Sequence, residues 1–233
     1  MFAKKLPETD EERIDVLRAA AVQEEINESY DKILPIIELR ELSNFTKSFE
    51  GSLFLLNQTI IDRDKAKNHY DELFKNAQLY ISHFIQVLFL TVIRNEIKAE
   101  NLVLYGFSEK DPILPDLSNE EAVLKWGDNI IRGEAERISR MGIPLYNPAI
   151  AKVKVHYELF KESIQSLNIF EKNLSRFQNN MNNLSIKANE LICGIWTKVE
   201  ERYSNSSPEE QALRFKAYKI QYRRKGEQLN VFD

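Results

Sequence analysis

The residues best able to hold a metal or move a proton near neutral pH are three histidines, His69, His83 and His156. Their spacing argues against a shared metal. His69 and His83 fall on one helical pattern, 14 residues apart, which is about 21 Å at helical rise. A di-iron bundle site needs Glu-x-x-His on two helices and a carboxylate on each of two others, and no Glu-x-x-His occurs. His83 and His156 approach only across a helix pair, with no carboxylate placed beside them. No metal ligand and no cofactor are therefore expected.

Nucleophilic chemistry fares no better. Cys193 sits between Ile192 and Gly194 in an apolar run, the setting of a small buried hydrophobe, whereas a reactive thiolate needs an exposed, electropositive site. Gly-rich phosphate loops, a Gly-x-Ser-x-Gly elbow and His-Glu-x-x-His are all absent. No catalytic residue is assigned, and an enzyme is not expected. A single cysteine forms no intramolecular disulfide, and Met1 to Glu8 turns acidic without an apolar core segment, so the expected location is cytoplasmic.

Charge narrows the partners. Among 233 residues, 32 Lys and Arg stand against 36 Asp and Glu, a net charge of -4, so no general field draws in a phosphate backbone and nucleic acid is excluded. Arg223-Arg224-Lys225 is a small basic run that reads as a solvated turn. The most apolar stretch, Leu79 to Ile93, is shorter than the roughly 20 residues of a bilayer span and carries Ser82, His83, Gln86 and Thr91. It reads as a helix buried centrally among others, and a membrane is not an expected partner.

With only 7 Gly and 7 Pro, the chain has the composition of helices joined by few turns. The first helix is expected over 9–30, with Thr9 and Glu12 as a capping box and a thin apolar face of Ile14, Leu17, Ala21 and Val22. After Pro35, no proline interrupts 36–98, and a stripe at alternating three and four spacing runs from Leu42 and Phe49 through Tyr70 and Phe74 to Phe84 and Leu88. That predicts one continuous helix, about 90 Å long at 1.5 Å per residue. A third helix over 118–141 is framed by Ser118 and Glu121 as a capping box, Leu117 as staple and Gly142 as stop; Val123, Trp126, Ile130, Ile131 and Ile138 form its apolar face.

Asn147-Pro148 reads as N-cap and first residue of a fourth helix, 148–203. Its heptad seam is Val153, Phe160, Leu167, Leu174, Met181, Ala188 and Ile195, with Phe170, Phe177, Leu184 and Leu191 three after four of them. A short helix over 208–217 follows, capped by Ser207. Tyr218, Ile220 and Tyr222 then alternate with charged and polar residues, a strand period that makes them the candidate interaction strand of a terminal hairpin over 218–232.

The predicted fold is an all-α, elongated helical bundle, one domain over 1–233, around two long antiparallel coiled-coil-like helices, with a small C-terminal β-hairpin. If Ile97 and Pro148 mark the same end of the pair, residues whose numbers sum to about 245 lie level. That sets the polar run Arg63 to Asn68 beside Gln178 to Asn183, and Gly51 beside Gly194. Trp126, Gly127, Gly133 and Trp196 are read as core and close packing.

Four segments carry a resemblance: Tyr80-Ile-Ser-His-Phe-Ile-Gln-Val87, Trp126-Gly-Asp-Asn-Ile-Ile-Arg-Gly-Glu134, Asn147-Pro-Ala-Ile-Ala-Lys-Val-Lys-Val155 and Ile195-Trp-Thr-Lys-Val-Glu-Glu201. In this order, over most of the chain, they resemble an uncharacterised family of bacterial helical-bundle proteins, a domain of unknown function. The resemblance implies a helical fold and a bacterial cytoplasmic setting, and brings no activity. It departs at Lys219, where the family pattern has glycine after the tyrosine.

These features favour a non-enzymatic interaction or scaffolding bundle, with another protein or a second copy as partner. The alternative is a membrane-acting, pore-forming type of bundle, suggested by the 79–93 stretch. A third reading is a small-molecule bundle with a pocket near His83, Trp126 and His156.

Overall fold

The computed structural model describes residues 2–224. In chain order the elements are β1 (Phe2–Lys4), α1 (Asp10–Ile26), α2 (Ile36–Ile93), a 3-10 segment (Ala99–Tyr105), α3 (Glu120–Ser139), α4 (Ile150–Arg202), α5 (Pro208–Ala217) and β2 (Tyr222–Arg224). The fold is all-α, with one antiparallel strand pair in which Lys4 faces Tyr222 and Phe2 faces Arg224. Contacts divide the chain into two compact units, one of residues 1–59 and 174–233, the other of residues 60–173. Helices α2 and α4 run through both.

The first unit packs Ile14, Leu17 and Ala20 of α1 and Leu42 and Phe49 of α2 against Ala188, Ile192, Trp196 and Val199 of α4. The thin apolar face expected of α1 is turned by one position, because Val16 and Ala20 are buried while Val22 is half exposed. In the second unit, Ile81, Phe84 and Leu88 of α2 meet Val123 and Ile130 of α3, Val153 and Phe160 of α4, and Tyr105 of the 3-10 segment. The glycines of α3 permit this approach. A Cβ on Gly127 would lie 2.4 Å from the Tyr157 ring, and one on Gly133 would lie 2.8 Å from the Leu104 carbonyl oxygen.

The seams expected of the long helices are the faces that pair, yet their register differs. In the second unit Arg63 reaches Glu171 at 3.8 Å, and Phe74 meets Phe160 at 5.5 Å between ring centroids. In the first, Lys187 lies over the Phe45 ring and Lys198 pairs with Glu38. Level residues thus sum to between 232 and 236, not 245. The two helix ends are not level: Ile93 ends α2 and Ile150 opens α4, yet residue 150 lies beside about residue 84, so α2 runs on past the start of α4, and Pro148 stays outside α4 behind a cis Asn147-Pro148 bond. Arg63 therefore finds a carboxylate in place of the expected asparagines. Gly51 and Gly194 are not level, and an added Cβ at either meets nothing within 4 Å.

Helix ends explain other departures. The Thr9 and Glu12 capping box forms as expected. For α3 the N-cap is Asn119, whose side chain accepts from the Ala122 amide, because the Asp116 carboxylate already accepts from the Ser118 amide and hydroxyl. Three helices close with one motif: Asn95, Met141 and Lys219 adopt φ of 59°, 69° and 54°, and the next amide returns to a carbonyl five residues back. Met141, not Gly142, is thus the left-handed stop of α3. At Lys219 the backbone is one that glycine would favour, and the Lys219 side chain pairs with Asp15. Met141 makes no ion pair and is 93% exposed. Met141→Gly should stabilise the protein by about 1 kcal/mol in chemical denaturation; a loss of stability would refute the left-handed assignment.

Candidate functional site

Beside the terminal strands, α1, α5 and β2 border an open groove of about 680 Å³ in the first unit. Its floor is apolar, formed by Val16 of α1, Trp196 of α4, Phe215 of α5 and Ile220. Trp196 is fully packed and its indole N–H donates to the Tyr218 carbonyl at 3.0 Å, so it offers the groove a ring edge without a free donor. Of the lysines at the rim, Lys5 pairs with Glu8 and Lys219 with Asp15, leaving Lys216 without an ion pair among the described residues.

The strand pair ends this groove. Lys5 N–H donates to the Gln221 carbonyl at 2.8 Å, so residues 5 and 221 face one another as a hydrogen-bonded pair. By the alternation of an antiparallel ladder, the Tyr222 backbone N–H and C=O then point away from β1. Among the described residues no third strand covers that edge. The Tyr222 hydroxyl donates to Glu200 at 2.6 Å, and Lys4 pairs with Glu200 at 2.8 Å, which fixes both strands to α4.

The candidate interaction strand is therefore shorter than expected. Only Tyr222 belongs to β2; Tyr218 caps α5 and Ile220 lies in the turn after it, and both are buried. The predicted alternation reported a helix end followed by a turn, because Tyr218 and Ile220 both point to the core. The second arm of the predicted hairpin, over 229–232, lies outside the described residues. Tyr218 instead joins a buried polar knot: its hydroxyl donates to Glu24 at 2.6 Å, and Glu24 also accepts from the amides of Ile33 and Leu34 at 3.0 Å. Burial and the Glu24 hydrogen bond push the Tyr218 phenol well above its usual range. Tyr203, burying its ring and donating to Asp31, is pushed up to about 12.

The residues His83, Trp126 and His156 all belong to the second unit. His83 is exposed on the outer face of α2. Trp126 stacks on Phe107 at 4.6 Å, and His156 stacks on Tyr80 at 4.0 Å, its imidazole held below the usual range by burial and by Lys152. Among the described residues no three His, Cys, Asp or Glu side chains gather as a metal site would require.

Sequence reasoning passed over one polar cluster. Glu134 is fully buried; its carboxylate accepts from Arg137 Nε at 3.0 Å, Arg137 Nη2 at 2.8 Å, the Leu145 amide at 3.0 Å and the Tyr105 hydroxyl. Burial and Glu134 raise the Tyr105 phenol. A signal was present: Val123, Gly127, Ile130, Glu134 and Arg137 follow one another at four and three spacing, which puts two opposite charges on the buried stripe.

The 79–93 stretch is not central. Ile81, Phe84 and Leu88 are buried, but Leu79, His83, Gln86, Leu90 and Ile93 form an exposed strip on the opposite face. Over one 18-residue window α2 is long and apolar enough to cross a bilayer, and 28% of that window is buried.

No family model, no curated protein and no solved structure matches this chain.

Proposed function

We propose that the chain is a non-enzymatic protein-interaction module that adds an extended segment, from a partner or a second copy, to the open edge of β2. What supports this is the uncovered Tyr222 edge running into a groove floored by Val16, Trp196, Phe215 and Ile220. Main-chain hydrogen bonds along such an edge supply affinity for any extended chain, and the apolar floor selects side chains on alternate positions. Helices α2 and α4, packed coiled-coil-like along their seams, serve as the scaffold. A bacterial cytoplasm, implied by the resemblance, suits a chain with one cysteine.

Truncation at residue 217 would be a poor test, since it removes the buried Tyr218. Tyr222→Pro is better, because it deletes the outward N–H while the β1 ladder uses the neighbouring residues, and Tyr222→Ala, which loses the Glu200 hydrogen bond and the ring but keeps the N–H, serves as its control and should still associate. Sedimentation of the full chain should give a mass above 27.3 kDa or binding to an array of extended peptides, and Tyr222→Pro should abolish either. A strict monomer with no peptide bound would end the proposal.

The exposed strip Leu79, Leu90 and Ile93 favours a second reading, a membrane-acting bundle that lays this face of α2 on lipid. Dye-loaded liposomes distinguish the two. Leakage on addition of the full chain supports it, and intact vesicles with no bound protein remove it.

A further inference from the structure

In the first unit, α1 covers one side of the α2 and α4 pair, reaching Glu50 of α2 and Ser185 and Asn189 of α4. The opposite side of the pair is bare. There a groove of about 800 Å³ runs between the two long helices, floored by Leu42 and Phe45 of α2 and by Leu184, Leu191 and Ile195 of α4. Its lining on α2 extends from Glu38 to Ser48, about 15 Å at helical rise, or roughly three turns of a helix laid along it.

Two glycines that packing within the chain does not explain continue the lips of this groove. Gly51 follows the lining residues Asn44 and Ser48 by seven and three positions, and Gly194 follows Lys187 and Leu191 by the same intervals. Glycine weakens a helix interior relative to alanine. No contact inside the chain requires it here, because an added Cβ at either position meets nothing within 4 Å, whereas at Gly127 and Gly133 it would strike Tyr157 and Tyr105. A glycine on an exposed lip lets another backbone come close. Gly194 adjoins Ile195 near the Glu38 end, and Gly51 lies just past Ser48 at the other end. Opposite lips at opposite ends are where a helix crossing the groove obliquely approaches most closely.

Charge specifies the flanks of that helix. Glu38 and Lys198 pair with each other across one end. Glu41 on the α2 lip and Lys187 on the α4 lip have no ion pair among the described residues, and Lys187 lies over the Phe45 ring. We propose that this groove docks an amphipathic helix of a partner protein, its apolar face on Phe45, Leu184 and Leu191, a basic flank on Glu41 and an acidic flank on Lys187. The docked helix stands opposite α1 and completes a four-helix packing. The lip charges also set its direction, since turning it end for end exchanges its flanks. This surface is separate from the β2 edge, and neither depends on the other.

A designed peptide of about fifteen residues, long enough to span the groove, with leucines at i, i+4, i+7 and i+11, lysines on one flank and glutamates on the other, tests the proposal on the 15N-labelled full chain. It should bind with shifts concentrated in 34–55 and 180–198, and Tyr222→Pro should leave that binding unchanged. Gly51→Leu and Gly194→Leu should each weaken it at least about tenfold by holding the peptide off the lips. Neither should lower the urea midpoint, since an added Cβ meets nothing in the chain. A spin label on the amino terminus of the peptide should broaden one end of the groove in the parent and the other end in the double variant Glu41→Lys with Lys187→Glu, because exchanging the lip charges turns the helix round. No binding, shifts confined elsewhere, one direction in both proteins, or undiminished binding to the glycine variants would each overturn the proposal. So would a dimer of the full chain that Gly194→Leu dissolves, which would give the groove to a second copy.

Discussion

Glu134→Ala is expected to cost about 3–5 kcal/mol of stability, because it leaves the Arg137 guanidinium buried with its countercharge gone. The carboxylate serves four donors from three places: Arg137 on its own helix, Tyr105 on the 3-10 segment and the Leu145 amide after α3. Its loss therefore unties the 3-10 segment and the 143–145 turn together. The double variant Glu134→Leu with Arg137→Met removes both charges and should recover much of the loss, since an apolar pair avoids desolvating ions. Urea denaturation of the three proteins measures this. A single-variant cost under about 1 kcal/mol would mean that the cluster is solvated in solution.

Phe84→Ala should also cost about 3–5 kcal/mol. The side chain is fully buried within the Ile81, Leu88, Tyr105 and Val123 cluster, and the rigid glycine contacts of α3 give the cavity little room to collapse. Phe177→Ala, on the α4 seam, should cost less than half as much. Phe177 is only half-buried, with Arg176 over its ring at 5.1 Å. Equal losses at the two positions, read from the same unfolding curves, would show that the middle of the seam is buried as deeply as its ends.

That contrast marks where the sequence was legible. Periodicity located each long helix and its inward face, because the 3.6-residue repeat depends only on the helix itself. It did not report how deeply a seam residue is buried. Between Phe49 and Leu73 no residue of α2 is fully buried, since burial depends on how many other elements cover that level. The register departs for a similar reason: how far α2 runs past the start of α4 is set by packing between elements, which no periodicity reports, and Met141 closes α3 in a left-handed conformation that methionine, unlike Asn95, does not advertise. The glycines of α3 were read correctly as close contacts. The Glu134 and Arg137 pair was visible only to a count that admits charge on an apolar stripe. At the candidate groove, Tyr222 was found by its strand period, while Val16, Trp196 and Phe215 come from three separate helices that no local pattern connects.

The pairing of residues 2–4 with 222–224 joins segments separated by nearly the whole chain, and it sets an order for events at the ribosome. The unit of residues 60–173 is contiguous, so its contacts are all available once that segment has emerged. The unit built from 1–59 and 174–233 must wait, its first half translated early and left without Trp196, Val199 and Tyr218 until those residues have also emerged. During that interval Ile14, Leu17 and Phe49 lie open to other chains, which makes the early segment the part of this protein with most need of a holding chaperone.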